Sequence, residues 1–207
     1  MVNEIRIVSN KIEFEDNDLG AKRTLKELAD RSVVFKYRRI GLYYPCSRIG
    51  GTAYATLAAP QNQIDISPFI VPIAQNFDRI AIRVTTGVAG NCRLGIYADD
   101  GDVCASTLIL DAGEVDTTTT GVKEIIIAQT LTPGLYWLAS LLSASGVSLN
   151  GIPIASVFPV GMDSSLTGSE GTGWRKAQAY GNLPDPFGTP DSLRATDRLA
   201  IFLRRAI

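Results

Sequence analysis

Apolar residues recur at every second position along much of this chain. Residues 77–85 show it most clearly: Ile80, Ile82 and Val84 point one way, while Arg79, Ala81 and Arg83 point the other. A period of two marks a strand with one covered face. Residues 64–71 precede it, and 93–98 follow with Leu94 and Ile96 inward. Residues 107–110, 122–129, 135–142, 152–160, 174–180 and 198–204 carry further strand signals. In the last of these, Leu199, Ile201 and Leu203 alternate with Arg198, Phe202 and Arg204, which predicts a well-paired core strand. Between them stand turn residues: Thr86-Gly87, Asp99-Asp100-Gly101-Asp102, Thr120-Gly121, Pro133-Gly134 and Gly181-Asn182. Such short connections cannot house the crossover helices of a parallel sheet. The expectation is an all-β fold: an antiparallel β-sandwich, jelly-roll-like, of about nine strands over residues 46–207.

Residues 1–45 read differently, as an N-terminal arm. Ile5, Val8, Ile12 and Phe14 sit among charged neighbours, and the period breaks near Ser9-Asn10, so a hairpin-like or extended path is expected. Asp16-Asn17-Asp18 can turn the chain and cap a helix. Leu19, Leu25 and Leu28 then recur near helical spacing between Lys22, Arg23, Lys26 and Glu27. This predicts a short amphipathic helix, too short to persist alone in water, so it must dock on something.

Charge distribution reinforces the division. Residues 1–40 hold 9 basic and 7 acidic side chains, residues 41–173 hold 5 and 11, and residues 174–207 hold 6 and 3. Lys22, Arg23, Lys26, Arg31, Lys36, Arg38 and Arg39 form a discontinuous basic patch diluted by Glu27 and Asp30. It reads either as a solvated face or as a docking surface for an acidic partner. In the second reading Leu19, Leu25 and Leu28 supply the apolar part of the contact.

The chain has 207 residues, a formal net charge of −1 and no histidine. Without histidine there is no Ser-His-Asp triad, no Cys-His dyad and no imidazole metal ligand. The near-zero charge gives no field to gather nucleic acid or anionic lipid. No apolar run approaches the ~20 residues that span a bilayer, and the first residues lack the apolar core of a signal peptide. Synthesis in the cytoplasm of the producing cell is the expectation. Cys46, Cys92 and Cys104 cannot close a zinc site alone. Three buried thiols, or one disulfide between Cys92 and Cys104 on neighbouring strands, are both open.

Few residues suggest chemistry. Asp99-Asp100-Gly101-Asp102 resembles a piece of a calcium loop without its terminal Glu, and a hairpin turn explains it as well. Asp111, Glu114 and Asp116 could form a glycosidase carboxylate pair, but Ala112-Gly113 suggests a turn flanked by surface charges. The glycine-rich stretch 168–173 lacks the Lys-Ser/Thr of a phosphate loop. Trp174 follows it, and could stack on a sugar ring or fill an oligomer interface; Tyr180 is a second aromatic for either role. No cofactor is expected, and no enzymatic activity.

One long string is more specific. Phe77-Asp78-Arg79-Ile80-Ala81-Ile82-Arg83-Val84-Thr85-Thr86 leads through Gly90 to Arg93-Leu94-Gly95-Ile96-Tyr97. It continues through Leu110-Asp111-Ala112-Gly113-Glu114-Val115 and Thr120-Gly121-Val122-Lys123-Glu124-Ile125, and closes with Gln129-Thr130-Leu131-Thr132-Pro133-Gly134-Leu135-Tyr136-Trp137-Leu138-Ala139. This order resembles a β-sandwich module of tailed-bacteriophage virion proteins, found in tail fibres and other appendages. The resemblance covers residues 64–142 and carries no catalytic residues. It implies a structural virion protein: a small appendage, a head-fibre or decoration protein, or a tail or baseplate component. The partners it implies are other virion proteins and further copies of the chain, threefold symmetry being common among such appendages. The arm would be the anchor, and host surface glycans are a further candidate partner through Trp174 and Tyr180.

Overall fold

The computed structural model describes residues 2–8, 11–16, 21–24, 38–51, 53–161 and 171–207. The chain divides into two units, Met1–Tyr37 and Arg38–Ile207.

In the first unit, strands β1 (Val2–Val8), β2 (Lys11–Asp16) and β3 (Ala21–Thr24) form an antiparallel sheet in the order β1-β2-β3. The β1–β2 pairing closes through Ile7↔Ile12 and Val8↔Lys11, which matches the hairpin-like path expected over 4–15. A helix is not what Ala21–Thr24 forms. This segment spends its backbone hydrogen bonds on β2, with Glu13↔Thr24 through Asp16↔Ala21 in register. Leu19, Leu25, Lys26 and Leu28 lie outside the described residues.

The second unit is an antiparallel β-sandwich. One sheet contains β6 (Gln63–Val71), β8 (Asn91–Asp99), β9 (Ala105–Asp116), β11 (Gly134–Leu142), β13 (Trp174–Ala177) and β14 (Ser192–Leu193), ordered β14-β13-β6-β11-β8-β9. The other centres on β7 (Gln75–Thr86), whose one edge pairs with β10 (Gly121–Leu131). Its other edge is shared by β12 (Ser148–Ile152) and β16 (Phe202–Arg205). Strands β4 (Tyr43–Pro45), β5 (Ala55–Ala58) and β15 (Arg198–Leu199) complete it. From β6 to β12 the chain passes back and forth between the sheets, except at the β8–β9 hairpin. That traffic makes the sandwich jelly-roll-like.

The predicted alternation fills the space between the sheets. Ile80, Ile82 and Val84 face Leu94, Ile96 and Leu138, with Leu199, Ile201 and Leu203 beside them, all buried. Phe69 and Phe77, one from each sheet, meet edge to face with centroids 5.7 Å apart. Each such buried side chain is worth about 1.5–3 kcal/mol.

Several boundaries differ from the sequence expectation. The sandwich begins at Arg38, because β4 pairs with β16 and draws the preceding residues in. The strand expected over 152–160 lies earlier, at β12. After it Pro153 starts a short 3₁₀ turn, Ile154–Ser156, whose first amide donates to Asp197 Oδ1. The strand expected over 198–204 is two pieces, since the chain leaves β12 after Leu199 and joins β7 at Phe202. Residues 111–114 are strand, not turn. Gly113 takes φ +95° inside β9, and the slip in register there is absorbed as a bulge.

A second core, unforeseen in the sequence, covers the outer face of the six-stranded sheet. Ile64, Ile66, Tyr97, Trp137, Ala139 and Leu141 face away from the inter-sheet space and lie under Leu183 and Phe187. The covering segment is pinned at several points: Leu183 N–H donates to Asp111 Oδ2, Tyr97 Oη to Pro184 O, and Phe187 N–H to Ser106 O. The Tyr136-Trp137 pair therefore points both rings inward, Tyr136 into the first core and Trp137 into the second.

Candidate functional site

The β8–β9 turn and the strand start at Trp174 build a shared depression. Turn residues fold their carboxylates back onto backbone amides, as Asp and Asn do in tight turns. Asp99 Oδ2 accepts from Gly101 N–H at 2.9 Å, and Asp100 Oδ1 accepts from Asp102 and Cys104 N–H at 2.7 and 3.1 Å. Asp99 Oδ1 takes the buried Trp137 Nε1–H at 2.8 Å, which ties the turn to the second core. Trp174 Nε1–H donates to Val103 O at 2.8 Å and fixes the second indole against the turn.

The resulting depression holds about 520 Å³ and is lined by Trp174, Asp100, Asp102, Cys104, Pro186 and Thr189 among others. It offers a half-buried aromatic ring, two carboxylates and a hydroxyl within one open surface. Sugar C–H faces pack on such rings, while hydroxyls donate to the carboxylates. As a metal site the turn is poor: among the described residues no group of three or more Cys, Asp or Glu could hold an ion.

Tyr180 is not part of this depression. Its hydroxyl donates to Glu114, on the far half of β9, and its N–H donates to Asn62 Oδ1. Burial and the Glu114 carboxylate both push its phenol up. The two aromatics named from the sequence thus sit at opposite ends of the β8–β9 hairpin.

The acidic trio is also dispersed in role. Asp111 receives Arg93 Nε at 2.8 and 2.9 Å and two backbone amides, Gly113 and Leu183. Glu114 takes Tyr180 and Asn91. Asp116 caps Thr118 and lies 3.8 Å from Lys123. Each carboxylate holds a neighbouring segment in place.

Of the basic arm residues, Lys22 and Arg23 lie on β3. Arg38 and Arg39 belong to the sandwich unit. The Arg38 guanidinium lies 4.5 Å from the Phe69 ring centroid and donates to Ile70 O at 2.6 Å. Burial lowers its pKa to about 10. All three cysteines are free. Cys92 pairs with Val115 at one end of the hairpin, whereas Cys104 adjoins the turn at the other, so no disulfide can join them. Burial pushes the Cys92 thiol up to about 12 and raises Cys46 as well.

A further cluster escaped the sequence reading. Asp65 and Arg198, both almost wholly buried, bridge the two sheets, and Arg175 completes a triad from β13. The signal was present: an aspartate between Ile64 and Ile66 in a covered strand demands a partner. No family model, curated protein or solved structure matches the chain.

Proposed function

We propose that this protein is a non-enzymatic structural component of a tailed-bacteriophage virion. The N-terminal unit attaches it to the particle or to sister subunits, and the sandwich is the exposed body. One observation carries the reading. The string resembling virion modules, residues 77–139, forms the continuous run from β7 through most of β11. Its landmarks have structural uses there: Gly95 lies under Leu183, and Asp78 binds Arg204 of the last strand. Met1–Tyr37 is a unit of its own with a three-stranded sheet, which suits an attachment segment. Homo-oligomers and neighbouring virion proteins are the partners. Mass spectrometry of purified particles tests the proposal: the chain should be found at a fixed copy number, and its absence rejects the assignment.

The Trp174 depression supports a second reading, a carbohydrate-binding module that contacts host surface glycans. Its mix of indole, carboxylates and hydroxyl is the mix that sugars require. On a glycan array the intact protein should bind, and Trp174→Ala should lose that binding while keeping its melting temperature. No binding by the intact protein removes this reading.

A further inference from the structure

A second open cleft, of about 400 Å³, lies where β5 and β15 of one sheet face β6 and β13 of the other. Three guanidinium groups line it, those of Arg175, Arg194 and Arg198, against the carboxylates of Asp65 and Asp197. The charges are unevenly matched. Asp65 Oδ1 takes Arg198 Nη2 at 3.0 Å, and Asp65 Oδ2 takes Arg175 Nη2 at 2.5 Å and Nε at 3.2 Å. Both oxygens of Asp65 are therefore used by two of the three arginines. Asp197 turns Oδ1 to the Ile154 amide.

Arg194 is left over. Among the described residues it forms no ion pair, and its Nε is shut off from solvent without an acceptor. Its backbone is nonetheless firmly placed. Arg194 N–H donates to Gly173 O at 2.8 Å, and Arg194 O accepts from Thr172 N–H at 2.6 Å and from Thr172 Oγ1 at 2.8 Å. Burial and the nearby Arg175 and Arg198 charges lower its proton affinity. A guanidinium on a firmly held backbone, beside two other arginines and without a carboxylate of its own, has the charge to take an oxyanion.

We propose that this cleft binds an oxyanion, the carboxylate or phosphate of a small acidic ligand. Arg194 is the principal charge partner and Arg175, one-fifth exposed, is the second. Thr196 stands on the same wall, its hydroxyl donating to Asp197 O at 3.3 Å. The site is separate from the Trp174 depression, because Trp174 and Arg175 are adjacent on β13 and project from opposite faces. It depends on neither functional reading given above.

The test titrates the full chain with sodium glucuronate and with inorganic phosphate, using glucose as the neutral control at matched ionic strength. Calorimetry and melting temperature are the readouts. One or both anions should bind and raise the melting temperature, glucose should not, and the choice between them identifies the group. Arg194→Met should weaken anion binding about tenfold or more, as losing a charged hydrogen bond does. Arg194→Lys should lose less. With no anion present, Arg194→Met should melt at the wild-type temperature or above it, since an uncompensated charge is removed. Failure of both anions to bind, or binding unchanged in Arg194→Met, overturns the proposal. A large drop in the anion-free melting temperature of Arg194→Met also overturns it, because the guanidinium would then be structural.

Discussion

Arg198 reaches from one sheet of the sandwich into the other and closes on Asp65, its Nη2 3.0 Å from Oδ1. The same guanidinium donates to Ser67 Oγ at 3.1 Å and to Ile66 O at 2.8 Å. Such a pair contributes little net stability against an apolar substitute, yet breaking it strands a buried charge. Asp65→Leu or Arg198→Met should each cost about 3–5 kcal/mol in urea unfolding. The double variant Asp65→Leu/Arg198→Met should cost clearly less than the sum. Strict additivity would show that the two charges are not coupled.

Gly95 is a packing site. A Cβ there would stand 2.2 Å from Leu183 Cδ1 and 2.8 Å from Leu110 O. Gly95→Ala should destabilise by about 1–3 kcal/mol through overpacking. Adding Leu183→Ala should recover part of that loss, which a double-mutant cycle would measure. A neutral Gly95→Ala would mean that the 180–190 segment does not lie on this strand.

Thiol reactivity should follow burial. Cys46 and Cys92 are fully buried, and their raised pKa values keep them as thiols. Cys104 is partly exposed in the Trp174 depression, with its thiol raised first by burial and then by nearby aspartates. A maleimide should label Cys104 alone in the native protein, faster as pH rises, and all three after unfolding. A sugar bound against Trp174 should slow the labelling. Equal labelling of Cys92 in the native protein would contradict the fold.

Acid should weaken the sandwich. Arg204 hydrogen bonds hold Asp78 below its ordinary value of 3.8, and the Tyr43 hydroxyl, then Arg79, hold Glu124 below 4.5. A carboxylate with a depressed folded pKa stabilises fully above its unfolded pKa and loses that contribution as pH falls through the folded one. The melting temperature should therefore drop between about pH 5 and pH 2. Asp78→Asn should flatten the slope, and an unchanged slope would show that the Asp78–Arg204 contact adds nothing.

The sequence was most readable where one face of a strand is covered. Ile80, Ile82 and Val84 announced β7, and Leu199, Ile201 and Leu203 announced the C-terminal core. It was least readable where cover arrives from far along the chain. Trp137 and Tyr97 look outward by alternation, and only Leu183 and Phe187 make them core. Arg198 fits an exposed position by the same alternation and is 1% exposed, because its partner sits on the other sheet. At Ala21–Thr24, leucine spacing suggested a helix, but pairing with β2 decides the backbone there. Trp174 was visible as a candidate from its neighbours. Asp100 and Asp102 were readable only as a hairpin turn or calcium-loop fragment, and Thr189 not at all, since pairing across sheet and loop brings them beside Trp174.

We propose that residues 1–37 attach the sandwich to a virion. The most direct measurement compares incorporation of the full chain and of residues 38–207 into phage particles, quantified by mass spectrometry after gradient purification. The account predicts that the shortened chain melts cooperatively near the full-length temperature yet is missing from particles that contain the full chain. Equal incorporation of the two would contradict attachment through the first unit, and absence of both would contradict the virion assignment itself.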